Sequence, residues 1–499
     1  MIVPSPQRQP MSSTHPPFGR PPGVKFLDDR TGIFTSMLLS AVIGCSYFLD
    51  RGHDDQRLLQ IAFLSLFCIN ALFRKSNPLA TMSSNRDFLS WSVLAFFLLG
   101  SVSSALAMSP RHAFLEVAIF LMLFLLALRI AEEVAGDSKH YVPIVLKACA
   151  IGSALYALEI VVIYLTALAL RSQPSVEDFT PGFSNIRFLN HAQTISLPLL
   201  VLLCALDKPG WKAKWGYLAL TAFCWTLLFI TAGRGTFVGL LAGTVGVFAV
   251  RGKHASAFCK TMLLTALAGM AMYAVFFTWI PAAIGLEPFG LAGQVVQRTA
   301  ADPTSLRGPL WTRALELIAA HPWSGVGPLH YAHFAIDGQL SAHPHNWILQ
   351  IGAEWGLPAL LCLLAAIGLS MRRLVLTASR ISADDHGNQN MLAAWIATGL
   401  AILVDGLVSG SIIMPVSQLW IALYIGCASG WVMSINSTSQ LPRQPRLRRC
   451  VNTVLLLLAL AAVVIGTGSD MGSRGSLGAA AAKENQGRNN PRIWINGYF

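Results

Sequence analysis

The chain has 499 residues, 54% of them hydrophobic and only 12% charged. Soluble domains carry about 25% charged residues. Here apolar runs of roughly 17–25 residues, enough to cross about 30 Å of hydrocarbon, recur from end to end and argue against a soluble fold. The net charge of +12 lies mostly in short loops between those runs, where it reports topology. No DNA- or RNA-binding motif accompanies it, so nucleic acid is not an expected partner.

Residues 1–31 are rich in Pro, Ser and Arg, without a cleavable signal peptide, and read as a disordered cytoplasmic tail. Apolar spans are expected near 32–49, 58–73, 88–108, 113–131, 142–170, 191–206, 215–232, 235–250, 259–280, 346–370, 392–411, 414–433 and 451–467. This is an all-α polytopic membrane protein of about 12–13 transmembrane helices. A bundle of about nine spans occupies 32–280, a large loop 281–345, a second bundle of about four spans 346–467, and a tail 468–499.

Lys and Arg orient it. With the N-terminus inside, the inner loops collect Arg74, Lys75 and Arg86, then Lys208, Lys212 and Lys214, then Arg251, Lys253 and Lys260, then Arg372, Arg373 and Arg380. The opposite turns are short and nearly free of Lys, which places 281–345 and 468–499 outside. The nine cysteines contain no CxxC pair, so neither a disulfide framework nor a zinc site is indicated.

The large loop has helical periodicity. Ser305 is suited to cap a helix from Leu306 to Ala320, whose apolar face would be Leu310, Ala314, Leu317 and Ile318. Pro322, Gly325, Gly327 and Pro328 end it. That face could lie on the membrane surface or over the outer mouth of the bundle.

Several residues have chemical potential. In His343-Pro344-His345-Asn346-Trp347, the loop enters an expected span. A neutral imidazole at such a helix start is a candidate general base, although His345 and Asn346 read equally as helix caps. Asn346, Gln350 and Glu354 follow at i, i+4 and i+8 on one face, pointing either to a cavity or to a hydrogen bond with a neighbouring helix. Gly233-Arg234-Gly235 makes a tight outer turn, and Arg298, Arg307 and Arg313 lie in the large loop. Arginine's planar fork suits phosphate oxygens. Arg234 could instead snorkel towards headgroups, and Arg313 could pair with Glu316. Glu116, Glu159 and Asp405 are charges within spans, Glu116 and Asp405 near outer ends where they could partner the arginines. His330, His333, His343 and His345 fit no common metal pattern, and no Asp-x-Asp pair is present.

Taken in order, Gly233-Arg234-Gly235, Arg307-Gly-Pro-Leu-Trp311, Pro322-Trp-Ser-Gly325-Val-Gly327, His345-Asn346 and Glu354-Trp-Gly356-Leu resemble the bacterial O-antigen ligase and O-antigen polymerase superfamily, over about 215–370. Asp405-Gly406 and Asn190-His191 are compatible with it. Two features depart from the pattern: Gly-Arg-Gly stands where Gly-Ser-Arg is common, and a last span and tail, with Pro491-Arg492-Ile493-Trp494, extend beyond twelve spans. The resemblance implies a GT-C-like fold and a transfer without metal or cofactor at the periplasmic face of the bacterial inner membrane. The donor would be an undecaprenyl-pyrophosphate-linked glycan. The acceptor would be lipid A–core in a ligase, a second lipid-linked glycan in a polymerase, or a protein hydroxyl in an oligosaccharyltransferase; the ligase type comes first, with the polymerase close behind. By motif position, Arg234 and Arg307 would hold pyrophosphate and His345 would take the acceptor's proton or orient the acceptor. Glu354 would support it, with Trp311, Asn346, Gln350 and Asp405 around them. The alternative is a flippase or transporter of lipid-linked glycans or anions. Glu116, Glu159 and Asp405 speak for it, and the lack of paired broken helices speaks against it.

Overall fold

The computed structural model describes residues 52–73, 87–206, 211–291, 307–334, 341–436, 446–471 and 492–495. The tail 1–31, the expected span 32–49, Arg298 and the Ser305 cap lie outside the described residues, as does most of 468–499. Among the described residues, fourteen α-helices of nine residues or more carry the architecture: α1 (His53–Phe73), α2 (Phe88–Leu106), α3 (Pro110–Gly136), α4 (Ser138–Leu170), α5 (Ile186–Ala205), α6 (Trp211–Thr231), α7 (Arg234–Arg251), α8 (Ser256–Met272), α9 (Gly308–Ala320), α10 (Trp347–Trp355), α11 (Leu357–Thr377), α12 (His386–Asp405), α13 (Pro415–Ile435) and α14 (Arg446–Met471). Their starts follow local chemistry. Asp87, Asp137, Asn185 and Asp385 each accept a backbone N–H from the first turn they precede. Proline occupies the first turn of α3, α11 and α13, where no intrahelical donor is lost.

This is an all-helical, multi-spanning membrane protein. Eight helical stretches among the described residues are long and apolar enough to cross a membrane. The longest, Arg234–Ala283, contains α7 and α8, joined at Gly252. Large apolar side chains such as Leu158, Val162, Leu241, Val245, Leu263 and Leu361 face outward, as lipid contact requires. Helices α1, α12 and α14 coincide with expected spans but fall outside those eight. For α12 the reason is its polar ends, which its position makes tolerable. It is packed among α5, α7, α11 and α13, so Asn388, Gln389, Asn390 and Asp405 are buried against protein instead of facing lipid.

The bundle has two polar ends. At one, Arg251 donates to Gln389, Asn390 to the Ala205 carbonyl, Trp431 to Asn388 and Arg373 to Asp87, and Lys139 pairs with Asp385. The other carries the starts of α1, α3, α5 and α7 and the end of α12.

One expected element divides. The single span expected over 346–370 is two helices, α10 and α11, separated at Gly356 (φ +86°). The nine residues of α10 reach about 14 Å, less than half a bilayer core. Glu354 therefore sits at a helix junction instead of one or two turns inside a span, and α11 is the apolar helix of crossing length. The chemistry behind the break is local: Gly356 adopts a positive-φ extended backbone that other residues disfavour, and Pro358 starts the next helix.

Helix α9 begins at Gly308, two residues later than expected. Leu310, Ala314 and Leu317 are buried, and Ile318 is partly buried. They pack over α10 with Val326, Tyr331 and Ala353, not against an open surface.

Candidate active site

The approach to α10 presents His345. Asn346 alone caps the helix, its Oδ1 accepting the N–H groups of Ile348 (3.0 Å) and Leu349 (3.1 Å). This leaves the His345 imidazole free of capping, and both Pro344 and His345 precede the helix. His345 has φ +52°, a left-handed backbone that is unfavourable for a bulky residue and persists only where the surroundings impose it. Those surroundings are specific. The Trp311 indole N–H donates to the Pro344 carbonyl at 3.0 Å, the Trp347 N–H donates to the Gly406 carbonyl at 3.0 Å, and the Trp347 indole donates to the Leu403 carbonyl at 3.2 Å. The half-buried His345 ring places Nε2 3.2 Å from Ser341 Oγ and its centroid 4.0 Å from that of His343. Burial pushes the imidazole well below its usual value of 6.5, and the positive charge of Arg307, then His191 and Arg187, pushes it further. It is neutral at physiological pH.

Arg307, immediately before α9, is close enough for its positive charge to act on His343 and His345. Asp405 closes the far side. Its Oδ2 accepts Thr194 and Ser409 hydroxyls at 3.1 Å each and lies 4.0 Å from His191 Nδ1. The turn holding Arg234 rests directly on these groups: a side-chain carbon at Gly235 would lie 2.7 Å from Asp405 Oδ1, and one at Gly233 would lie 2.6 Å from the Asn190 side chain. Only glycines allow α7 to start so close to them, with the half-buried Arg234 as its first residue. Arg313 pairs with Glu316 (3.0 Å) and also donates to the Phe334 carbonyl.

Gln350 and Glu354 turn away from His345 into a second, buried cluster. Gln350 Nε2 donates to Glu354 Oε2 at 3.4 Å, and the Tyr331 backbone N–H donates to Glu354 Oε1 at 3.0 Å. The remaining partner is Arg492. Its Nη1 lies 2.9 Å from Glu354 Oε1 and its Nη2 3.0 Å from Glu354 Oε2, and Nη2 also reaches Glu116 Oε1 at 3.1 Å. Glu116 thus partners an arginine, but one from the chain's end instead of a large-loop arginine or Arg234. Burial works against the charge, yet the two carboxylates outweigh it and push the Arg492 guanidinium above its usual value. Arg57, also fully buried, donates to Gln60, Gln418 and the Ile413 carbonyl beside it. Neither Arg57 nor Arg492 had been singled out as a site residue. The available signal for Arg492 is its neighbours, Ile493 and Trp494, large apolar side chains directly after a polar stretch, and both are buried.

Two motif glycines lock the loop onto α10. Gly325 (φ +64°) and Gly356 (φ +86°) cross so closely that a side-chain carbon at Gly325 would lie 2.4 Å from the Glu354 carbonyl, and one at Gly356 would lie 2.4 Å from the Trp323 carbonyl. The crossing lets Val326 and Gly327 N–H groups donate to the Ala353 and Glu354 carbonyls at 2.9 Å each, satisfying acceptors that a helix end leaves open. His330 is a clip between segments: Nδ1 contacts the Pro328 carbonyl (2.7 Å) and Nε2 accepts the Ser109 N–H (2.9 Å). Among the described residues no group of three or more His, Cys, Asp or Glu side chains is arranged to hold a metal ion.

Residues 219–364 are homologous to the O-antigen ligase family, whose model matches that stretch. The match contains Arg234, Arg307, Trp311, His345, Asn346, Gln350 and Glu354, while Glu116, Asp405 and Arg492 lie beyond it. No curated protein matches the chain. The homology links the chain, at family level, to glycan transfer of the O-antigen ligase and polymerase type.

Proposed function

We propose that this protein transfers a glycan from undecaprenyl pyrophosphate to an acceptor hydroxyl at the periplasmic face of the bacterial inner membrane. The observation that carries the proposal is the neutral, half-buried His345, held in a strained backbone beside the Arg307 cation within the family-matched stretch. The acceptor O–H attacks the anomeric carbon of the donor sugar. The bond from that carbon to the phosphate oxygen breaks, lipid pyrophosphate leaves with its electron pair, and the acceptor's proton passes to His345. In the tautomer whose Nε2–H donates to Ser341 Oγ, Nδ1 carries the lone pair that receives it. Arg307 and Arg234 stabilise the charge that gathers on the leaving pyrophosphate. Asn346, Trp311 and Asp405 hold the elements that carry these groups, and Gln350 and Glu354 brace α10 from behind.

Glu354 fits bracing better than proton transfer. Its oxygens already accept from Arg492, Tyr331 and Gln350. Within the proposal, ligation to lipid A–core comes first and polymerisation onto a second lipid-linked glycan next. A transporter would need membrane-embedded charges that can exchange partners. Glu116 is locked to Arg492, and Asp405 is held by two hydroxyls.

The test is reconstitution of the purified chain in liposomes with an undecaprenyl-pyrophosphate-linked glycan and either lipid A–core or a second lipid-linked glycan. Appearance of the glycosylated acceptor together with free lipid pyrophosphate supports the proposal. Movement of intact donor across the bilayer with no new glycosidic bond would replace it with transport.

A further inference from the structure

The segment Arg492–Ile495 lies inside the bundle, gripped by residues distant in sequence. The Arg492 carbonyl accepts from His53 Nε2 (3.1 Å) and Arg57 Nη2 (3.4 Å) of α1. Trp494 Nε1–H donates to Asp470 Oδ2 (3.0 Å), and the Ile495 N–H donates to Asp54 Oδ1 (2.6 Å). Helices from both ends of the sequence thus fix this short segment, and its one charged side chain is aimed at the back of α10.

Two routes lead from that side chain to His345. Along the first, Glu354 Oε1, held by Arg492, accepts the Tyr331 N–H at 3.0 Å, and the Tyr331 hydroxyl donates to the Leu310 carbonyl at 2.8 Å. The next residue, Trp311, donates to the Pro344 carbonyl, immediately before His345. Along the second, Arg492 Nη1 makes a long contact, 3.5 Å, with the Ala342 carbonyl. Ala342 stands between Ser341 and His343, the two residues that touch the His345 ring. The hydrogen bonds in these routes join buried or half-buried groups, with the Arg492–Glu354 ion pair, the His343–His345 ring contact and chain neighbours completing them, so displacing the guanidinium loosens both flanks of the strained residue.

We infer that Arg492 is a positioning residue for His345, and that the C-terminal segment completes the active site from outside the family-matched stretch. The inference rests on the glycan-transfer proposal for its functional half, while its geometric half can be read without turnover. A planar guanidinium is needed, because it touches both Glu354 oxygens while reaching Glu116; an ammonium offers one point charge.

The experiment uses the full-length chain carrying Arg492→Ala or Arg492→Lys, in the same liposomes. Two quantities are measured: steady-state transfer, and the rate at which diethyl pyrocarbonate modifies His345, resolved by peptide mass spectrometry against the exposed His140. For Arg492→Ala we expect kcat to fall about tenfold or more with the donor KM within about twofold of wild type. We also expect His345 labelling to rise about fivefold relative to His140, as the loop opens. Arg492→Lys should lie between on both scales, and it carries both readings should the alanine variant not accumulate. Unchanged relative labelling of His345, or wild-type kcat alongside raised labelling, would overturn the inference. Absence of transfer by the wild-type chain, with labelling still responsive to Arg492, would instead remove the glycan-transfer proposal and leave the geometric coupling standing.

Discussion

Arg492 and Glu354 meet through an Nη2–H···Oε2 hydrogen bond of 3.0 Å and an ion-pair contact of 2.9 Å between Nη1 and Oε1, with neither side chain exposed to solvent. A buried pair of this kind is costly to break from one side, because the surviving charge keeps its desolvation penalty. Glu354→Leu is therefore predicted to cost about 3–5 kcal/mol of stability. The double variant Glu354→Leu/Arg492→Leu should lose less than the sum of the two single losses; Glu116 loses its arginine in both variants that lack Arg492, so its cost does not enter the coupling. Thermal melts of the four proteins in detergent measure the cycle; strictly additive losses would contradict the coupling.

Gly356→Ala is predicted to destabilise by about 2–3 kcal/mol, through a positive-φ backbone and a carbon placed against the Trp323 carbonyl. Gly368→Ala, within α11 and with open space around it, should be neutral or slightly stabilising. Equal effects at both positions in the same melting assay would argue against the backbone crossing of Gly325 and Gly356.

Trp311→Phe keeps the ring but removes the N–H that holds the Pro344 carbonyl. One hydrogen bond is worth about 1 kcal/mol. The expected result is a fall in kcat of about fivefold with little change in melting temperature. A variant with wild-type kcat would show that this bond does not orient His345.

The pH profile carries a signed prediction. His345 must be neutral to accept a proton, and its value in the fold is lowered, first by burial and then by Arg307, His191 and Arg187. Transfer should therefore persist as pH falls through 6.5 and be lost only at more acidic pH. Removing the Arg307 cation in Arg307→Gln should move the acid limb upward when measured as kcat at saturating donor. The stability contribution has the same direction. The unfolded chain takes up the His345 proton near the ordinary histidine value and the folded chain does not, so this contribution is present above about pH 6.5 and declines as pH falls below it. An acid limb that moves downward in Arg307→Gln would contradict the placement of that cation beside His345.

Local chemistry made the helical elements legible, and long-range packing explains what escaped. The apolar runs at 88–108, 113–131 and 414–433 correspond to α2, α3 and α13 because an interior without water demands helices. Asn346 was recognisable as a cap, while its neighbour His345 was not separable from it, since a left-handed residue before a cap leaves no periodic mark. Gly356-Leu357-Pro358 carried a helix-stop and helix-start signal, but the apolar residues on both sides masked it. Arg492 was beyond local inference altogether. Its meaning depends on Glu116 and Glu354, separated from it by 376 and 138 residues, and no residue pattern near it records which carboxylates it will meet.

The most direct measurement compares the wild-type chain with His345→Ala in liposomes containing undecaprenyl-pyrophosphate-linked glycan and lipid A–core, with donor binding measured separately on the same preparations. The wild type should transfer glycan, and His345→Ala should bind donor with near-wild-type affinity, melt normally and transfer none. Full transfer by His345→Ala would contradict its role as the base.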